Sequence, residues 1–162
     1  MVSLKLTTRG DSLVHQVEVS RSTEMLPGEP NEAQVASWLE FALDHLHRQS
    51  ADVSVHIVGE KEIASINTQY GGLENATNVL SFPAGISLEE VEFLGDIVIC
   101  TKVVKLESDQ YGRGFADRYA HMLIHGLLHL LEYDHIEEAA RTRMEHVETD
   151  LLSRLGMGDP YE

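Results

Sequence analysis

Three histidines in the second half of the chain have the spacing of metal ligands. His125 and His129 are four residues apart, which on a helix places both imidazoles on one face, one turn apart and within reach of one ion. His135 follows six residues later, where a chain that has left the helix can turn back and present a third nitrogen. Zn²⁺ with three protein ligands keeps a fourth position open for water, the pattern of a catalytic rather than a structural site. The spacing therefore predicts a hydrolytic zinc centre.

Other polar residues near this trio have alternative roles. His121 extends the same helix face, but a set of His121, His125 and His129 would span two full turns, which is too long for one small ion. We therefore expect His121 to be a neighbour of the ligands. Asp134 is either a partner for a ligand's free N–H or an acid at a helix end. Asp96 is expected to be a structural acid that bonds backbone or a ligand histidine.

The residue after the first histidine bears on the kind of hydrolysis. Zinc peptidases have a glutamate there, which serves as general base, whereas this chain has Gly126. The glycine disfavours a peptidase. Phosphodiester hydrolysis fits better, because its main requirements are the neutralisation of a charged transition state and the positioning of water.

Two long helices are predicted around the histidines. The first runs from about residue 115 to 131 and carries His125 and His129. Its apolar side consists of Tyr119, Met122, Leu123, Leu127 and Leu130. The second runs from about residue 136 to 155, and its inward-facing residues are Ile136, Met144, Val147, Leu151 and Leu155.

Shorter elements precede these helices. They are an N-terminal hairpin (residues 2–6 and 13–19), a helix capped by Asn31 with apolar residues from Val35 to Leu46, a strand at 53–57, a short helix at about 60–70, a strand at 79–82 stopped by Pro83, and a buried strand at 94–100. This order predicts an α+β fold in which a small mixed β-sheet packs against about five helices, with the histidines at a groove.

Composition restricts the setting of the protein. The net charge is −15, which argues against a protein that coats nucleic acid or anionic membranes through bulk electrostatics. The single cysteine, Cys100, lies in an apolar run and is expected to be a small buried hydrophobe. The first residues lack the pattern of a signal peptide, and no apolar run approaches the length of a membrane span, so we expect a soluble cytoplasmic protein.

Three blocks of sequence resemble the YbeY family of bacterial rRNA maturation endoribonucleases. They are Thr77-Asn78-Val79-Leu80-Ser81-Phe82-Pro83, then Leu94-Gly95-Asp96-Ile97-Val98-Ile99-Cys100, and the segment from Ala120-His121 through Tyr133-Asp134-His135-Ile136. The likeness extends from about Leu26 to the end of the chain. We therefore expect one domain, 1–162, with residues 1–25 outside the strongest resemblance.

The resemblance implies a specific activity. It implies a metal-dependent, single-strand-specific endoribonuclease in the cytoplasm, active in small-subunit rRNA maturation, ribosome assembly and ribosome quality control. It also implies one zinc ion, or another divalent transition metal, on His125, His129 and His135. The implied partners are single-stranded RNA and the small ribosomal subunit, together with a ribosomal protein or an assembly GTPase. Thr77, Asn78 and Ser81 are candidates for hydrogen bonding to phosphate or ribose.

Two residues depart from the family pattern. The family has glycine where this chain has Glu132, and that position is suited to the left-handed turn that ends a helix. A positive φ at Glu132 would introduce strain of about 1 kcal/mol or more, and its carboxylate could compete for the metal.

The second departure is a missing charge. The family carries a functionally important arginine where this chain has Gly71, and losing one such donor typically lowers the rate by about 10²–10³. Lys61, Lys102 and Arg113 are candidate substitutes. The alternative function is therefore a metal-bound ribosome-assembly or RNA-binding factor with weak or no nuclease activity.

Overall fold

A mixed β-sheet forms the centre of the computed structural model, which describes residues 15–72 and 75–162. Its four strands are β1 (Gln16–Arg21), β2 (Ser50–Val58), β3 (Val79–Leu88) and β4 (Val91–Cys100), in the order β1-β2-β4-β3. β1 and β4 both run parallel to β2, whereas β3 pairs antiparallel with β4. The predicted mixed sheet is confirmed. Most of the predicted N-terminal hairpin lies outside the described residues.

Five helices accompany the sheet in the described part of the chain, as predicted. They are α1 (Glu32–His45), α2 (Glu60–Gln69), α3 (Thr101–Gln110), α4 (Phe115–Leu130) and α5 (Glu138–Arg154). The Asn31 side chain caps α1 by accepting a hydrogen bond from the backbone N–H of Gln34, as the sequence indicated. The helix α3 was not delimited from the sequence.

The main core lies between the sheet and α1, α4 and α5. Val53, Val55 and Ile57 alternate toward it from β2, and the predicted apolar side of α4 is buried throughout. A smaller cluster on the other face of the sheet contains Ile63 of α2 and Cys100, which is fully buried. The histidine-bearing helix α4 is therefore fixed against the sheet along its length.

The prediction that Pro83 stops a strand is wrong. β3 continues to Leu88, and its register with β4 shifts between Pro83 and Ile86. Because β3 is an edge strand, a proline without an N–H is tolerated there. Gly95 lies opposite Pro83 with φ +130, and a Cβ at Gly95 would come within 2.1 Å of the Phe82 carbonyl oxygen. A glycine is therefore required on β4.

The prediction that Ile136 faces inward is also wrong. Ile136 is 85% exposed, because α5 begins only at Glu138 and the preceding residues form the connection from α4. Met144 and Leu151 are buried as predicted, and Val147 and Leu155 pack partly buried against the core.

The helices α1 to α5 of residues 15–72 and 75–162 all end in the same kind of turn. In each, one residue adopts positive φ and the next donates its N–H to the carbonyl five residues earlier, which is a Schellman motif. The positive-φ residues are His47, Gly71, Gly112, Glu132 and Gly156. The bonds run from Arg48 to Leu43, Gly72 to Asn67, Arg113 to Ser108, Tyr133 to Leu128 and Met157 to Leu152. Glycine is the usual residue at this position, so His47 and Glu132 are exceptions.

Among the described residues, the helices are too short or too polar to cross a bilayer.

Candidate metal centre

The end of α4 and the turn after it bring the three histidines together. His125 and His129 lie one turn apart on α4, and Glu132 then takes φ +70. The N–H of Glu132 bonds to the carbonyl of His129 at 3.1 Å, which folds the chain back. His135 thereby lies with its ring centroid 4.8 Å from that of His129 and 5.9 Å from that of His125. The positive φ considered for Glu132 from the sequence is confirmed.

The geometry of the trio fits a metal ion. One nitrogen from each histidine lies within 4.8 Å of the other two, and the Nε2 atoms of His125 and His129 are 3.0 Å apart. In a tetrahedral zinc site with bonds of about 2.0–2.1 Å, two ligand nitrogens lie about 3.3 Å apart. The His125–His129 distance is close to this value, and all three nitrogens lie near enough to one another for the cluster to hold a metal ion.

The surroundings of His129 favour its neutral imidazole. Burial, followed by the proximity of His125 and His135, lowers the pKa of His129. Metal ligation requires the deprotonated ring, so this shift favours binding. The carboxylate of Glu132 is not part of the cluster and lies instead in a cavity with Arg48 and Glu92, so competition from Glu132 for the metal is not supported.

Glu148 on α5 is a site residue that the sequence interpretation missed. Its side chain is 1% exposed, and its Oε2 accepts hydrogen bonds from His121 Nε2 at 2.7 Å and from His125 Nδ1 at 3.3 Å. Burial by itself raises the pKa of Glu148, but the bonds from His121 and His125 outweigh it and lower the pKa to about 2. An ionised carboxylate therefore orients His125 from behind.

One sequence feature could have identified Glu148. It occurs on the inward side of α5 with Met144 and Leu151, at helical spacing. A glutamate on an apolar helix face is rarely buried without a charged or hydrogen-bonding partner. The histidines of α4 are that partner.

His121 lies beside the trio rather than in it. It is 6% exposed and bonds to Glu148, while Tyr161 packs edge-on against its ring at 5.5 Å between centroids. The Tyr161 hydroxyl donates to Glu148 Oε1 at 3.0 Å. Burial, with the nearby Glu148 charge, raises the pKa of Tyr161, which keeps this hydroxyl protonated. His121 and Tyr161 thus both hold Glu148.

A cleft of about 490 Å³ opens over the histidines. Its wall is formed by Asn78 and β3 on one side and by α4 on the other. The lining residues are Asn78, Val79, Leu80, Ser81, Pro83, Met122, His125, His129 and His135. Of the three residues predicted to bind substrate, Asn78 and Ser81 line this cleft and Thr77 does not.

The polar groups of the cleft wall are partly engaged within the protein. Ser81 Oγ donates to the carbonyl of Gly126 at 2.8 Å, and the amide of Asn78 donates to Glu107 at 3.1 Å. Asn78 Oδ1 also accepts from the N–H of Val79 at 2.7 Å. These bonds fix the wall against α3 and α4. A role of Asn78 and Ser81 toward RNA remains a prediction.

Gly126 is explained by packing. A Cβ at this position would lie 3.1 Å from both Ile97 Cγ2 and Ser81 Oγ, and 3.3 Å from Val79 Cγ2. The glycine allows α4 to approach the sheet closely. This approach brings His125 next to the wall formed by β3.

The two acids that were candidate partners of the ligands have other partners. Asp96 Oδ1 accepts from His56 Nε2 at 2.8 Å, on the opposite side of the sheet from α4. The prediction that Asp96 bonds backbone or a ligand histidine is wrong, because its partner is His56 of the neighbouring strand. Asp134 Oδ1 accepts from the N–H of Ile136 at 2.8 Å, which stabilises the turn that carries His135. The carboxylate that faces a ligand is Glu148.

Gly71 and the candidate substitute cations lie apart from the cleft lining. Gly71 has φ +85 at the end of α2, with open space around its Cβ position. Lys102 pairs with Glu60 at 3.1 Å, and Arg113 donates to the backbone carbonyls of Asp159 and Glu162. Neither they nor Lys61 are among the residues that line the cleft.

Comparisons with known proteins place this chain among relatives. A model of the endoribonuclease YbeY family matches residues 16–156. The endoribonuclease YbeY of Cellvibrio japonicus (strain Ueda107) is 44% identical over 147 residues, covering 90% of this chain and 81% of that protein. The endoribonuclease YbeY of Halorhodospira halophila (strain DSM 244 / SL1) is 42% identical over 137 residues, covering 82% of this chain and 88% of that protein.

A solved structure has the same fold. The solution structure of TM1509 from Thermotoga maritima superposes with a TM-score of 0.57 at 21% identity, covering 91% of this chain and 99% of that one. The family match includes β1, which lies ahead of the blocks that carried the resemblance in the sequence. The family match, the identities over most of the chain and the three-histidine cleft together show that this chain belongs to the endoribonuclease YbeY family.

Proposed function

We propose that this chain is a metal-dependent endoribonuclease that hydrolyses phosphodiester bonds of single-stranded RNA. It acts in the cytoplasm, in small-subunit rRNA maturation and ribosome quality control, as one domain spanning residues 1–162. One Zn²⁺ ion is held by His125, His129 and His135. The observation that carries this proposal is the cluster of three imidazoles, with ligand atoms within 4.8 Å of one another, at an open cleft.

The residues around the cluster support hydrolysis. When bound, Zn²⁺ supplies Lewis acidity and activates water. Glu148 holds the Nδ1–H of His125, which leaves Nε2 free to face the ion. The lowered pKa of His129 keeps its ring neutral at the pH of the cytoplasm.

The cleft also supports the proposed substrate. The net charge of −15 makes the whole molecule repel RNA, so a strand must be held locally. One wall of the cleft is the edge strand β3 with the preceding Asn78, and the polar residues Asn78 and Ser81 there are candidates to contact phosphate or ribose. Base edges and 2′-hydroxyls are accessible in a single strand, which is the form of RNA that proteins read most readily.

A second candidate function has a specific observation in its favour. Gly71 offers no side chain where the family arginine is expected, and Lys102 and Arg113 are engaged elsewhere. Under this alternative, the metal-bound protein binds RNA or a component of the small ribosomal subunit, such as a ribosomal protein or an assembly GTPase, but cuts RNA poorly.

Metal content and RNA cleavage test the proposal. Purified protein is expected to contain about one transition-metal ion per chain, and His129→Ala is expected to lose it along with cleavage of a single-stranded RNA. The exposed His146 provides the control variant, His146→Ala, which should retain both properties. The absence of stoichiometric metal in the wild-type protein would overturn the proposal.

A gain-of-function variant separates the two candidates. Gly71→Arg combined with Glu132→Gly restores both family residues. A gain in cleavage rate of about 10²–10³ would identify the natural chain as a poor enzyme, since this is the size of one preorganised charge contribution. Equal and robust metal-dependent cleavage by both proteins supports the endoribonuclease. Cosedimentation of either protein with small ribosomal subunits tests the implied partner.

A further inference from the structure

The segment that follows α5 returns to the metal centre. Gly156 takes φ +82 after α5, and the chain then passes beside α4. Arg113 anchors this segment by donating to the carbonyl oxygens of Asp159 and Glu162. Within it, the N–H of Tyr161 bonds to Asp159 Oδ1 at 2.8 Å. Tyr161 is therefore held in a defined position, although 48% of its side chain is exposed.

Tyr161 and the histidines hold the two oxygens of one carboxylate. The Tyr161 hydroxyl donates to Glu148 Oε1 at 3.0 Å, whereas His121 and His125 donate to Oε2 at 2.7 and 3.3 Å. Because Glu148 is 1% exposed, water cannot easily replace a lost partner of Oε1. The orientation of the carboxylate is thus set from both sides.

When the Glu148 carboxylate is held in one orientation, it also orients the ring of the ligand His125. Nδ1 of His125 faces Glu148, and its Nε2 faces His129 at 3.0 Å. Of the two bonds to Oε2, the 3.3 Å bond to His125 is longer and therefore weaker than the 2.7 Å bond to His121, so a rotated carboxylate readily loses it. Such outer partners of ligand histidines commonly change metal affinity by about 10–100-fold.

We propose that Tyr161 is a positioning residue of the metal centre, which acts through Glu148 on His125 and thereby sets the affinity for a divalent metal. This inference rests on the proposed metal site and adds a contribution from a segment outside α4 and the following turn, which carry the ligands. The competing explanation is that Tyr161 only packs the segment against His121.

A double-mutant cycle on metal affinity distinguishes these explanations. Tyr161→Phe keeps the ring against His121 and removes the hydroxyl, with its bond to Glu148 and its 3.4 Å contact with His121 Nε2. Zn²⁺ affinity, measured by competition with a chromophoric chelator, is expected to weaken about 3–10-fold in this variant and about 10–100-fold in Glu148→Gln. In the Glu148→Gln background, Tyr161→Phe is expected to have no further effect, because its route to His125 is already lost. The visible absorption spectrum of the Co²⁺-loaded Tyr161→Phe protein should also change, since it reports ligand geometry.

Tyr70 provides the matched control. Its side chain is 67% exposed and packs on Phe82, outside the cleft lining, so Tyr70→Phe should leave Zn²⁺ affinity and the Co²⁺ spectrum unchanged. If Tyr161→Phe matches Tyr70→Phe within about twofold, or if its effect persists fully in the Glu148→Gln background, then Tyr161 is not acting through Glu148.

A failure of this inference can be distinguished from a failure of the proposed function. No RNA is present in the affinity assay. Wild-type protein that binds metal but cuts no RNA overturns the nuclease and leaves the Tyr161 comparison valid. A wild-type protein that binds no metal overturns both.

Discussion

Replacement of Glu132 by glycine should stabilise the protein, whereas glycine in the interior of a helix is destabilising. Glu132 has φ +70, and this conformation costs a residue with a Cβ about 1–2 kcal/mol. Glycine removes that cost but gives the unfolded chain extra freedom, which offsets about 0.4–1 kcal/mol. Glu132→Gly should therefore be about 0.5–1 kcal/mol more stable than Glu132→Ala.

The alanine variant separates the backbone effect from the charge. Glu132 follows the carboxyl end of α4, where a negative side chain is unfavourable by about 0.3–1 kcal/mol. Glu132→Ala removes this repulsion but keeps the strain. Relative to the natural protein, Glu132→Gly should gain about 1 kcal/mol or slightly more, which raises Tm by about 2–4 °C for a chain of this size.

Urea unfolding of the metal-free protein at neutral pH measures these differences. Ala36, in the interior of α1, provides a control of opposite sign, because Ala36→Gly should destabilise by about 1 kcal/mol. If Glu132→Gly were less stable than Glu132→Ala by about 0.5 kcal/mol or more, residue 132 could not occupy the left-handed region in solution. The turn that brings His135 to His129 would then need another explanation.

Three further predictions concern the metal, acid stability and the cleft wall. Zn²⁺ at about 100 times its Kd should stabilise the protein by about 2.7 kcal/mol, a rise in Tm of about 5–11 °C, and His129→Ala should abolish this rise. In the folded metal-free protein the pKa of Glu148 is about 2, against an ordinary 4.5. This difference adds about 3 kcal/mol to the free energy of unfolding above pH 4.5, and the contribution is lost as the pH falls toward 2. Glu148→Gln should remove this part of the pH dependence of the unfolding free energy. Ser81→Ala loses the 2.8 Å bond to the Gly126 carbonyl and should cost about 1 kcal/mol in urea unfolding.

Each of these has a control and a contradicting result. His146→Ala should show the full Zn²⁺-induced rise in Tm, and a rise of equal size in His129→Ala would exclude His129 as a ligand. If the acid-induced loss of stability in Glu148→Gln equalled that of the natural protein, folding would not lower the pKa of Glu148. Ser87→Ala, at an exposed position of β3, should leave the unfolding free energy unchanged, and an equal loss in both serine variants would contradict the role of the Ser81 bond.

The sequence alone determined the features that depend on neighbouring residues. The four-residue spacing of His125 and His129 on a helix follows from the pitch of that helix, and the Asn31 cap follows from unpaired N–H groups at a helix start. The family has glycine where this chain has Glu132, and this difference indicated a left-handed turn at Glu132. The turn could be predicted because its conformation depends only on the residues at the end of the helix.

The tertiary structure alone decided the features that join distant segments. Pro83 is accommodated within β3 because this strand is at the edge of the sheet. Ile136 is exposed because it lies in the connection between α4 and α5, next to His135. Asp96 of β4 bonds to His56 on the neighbouring strand β2. The carboxylate that accepts a hydrogen bond from the ligand His125 is Glu148 of α5, whereas the sequence had suggested Asp134 or Asp96 as the partner of a ligand. Which carboxylate faces a ligand depends on how helices pack, and local spacing does not encode that contact.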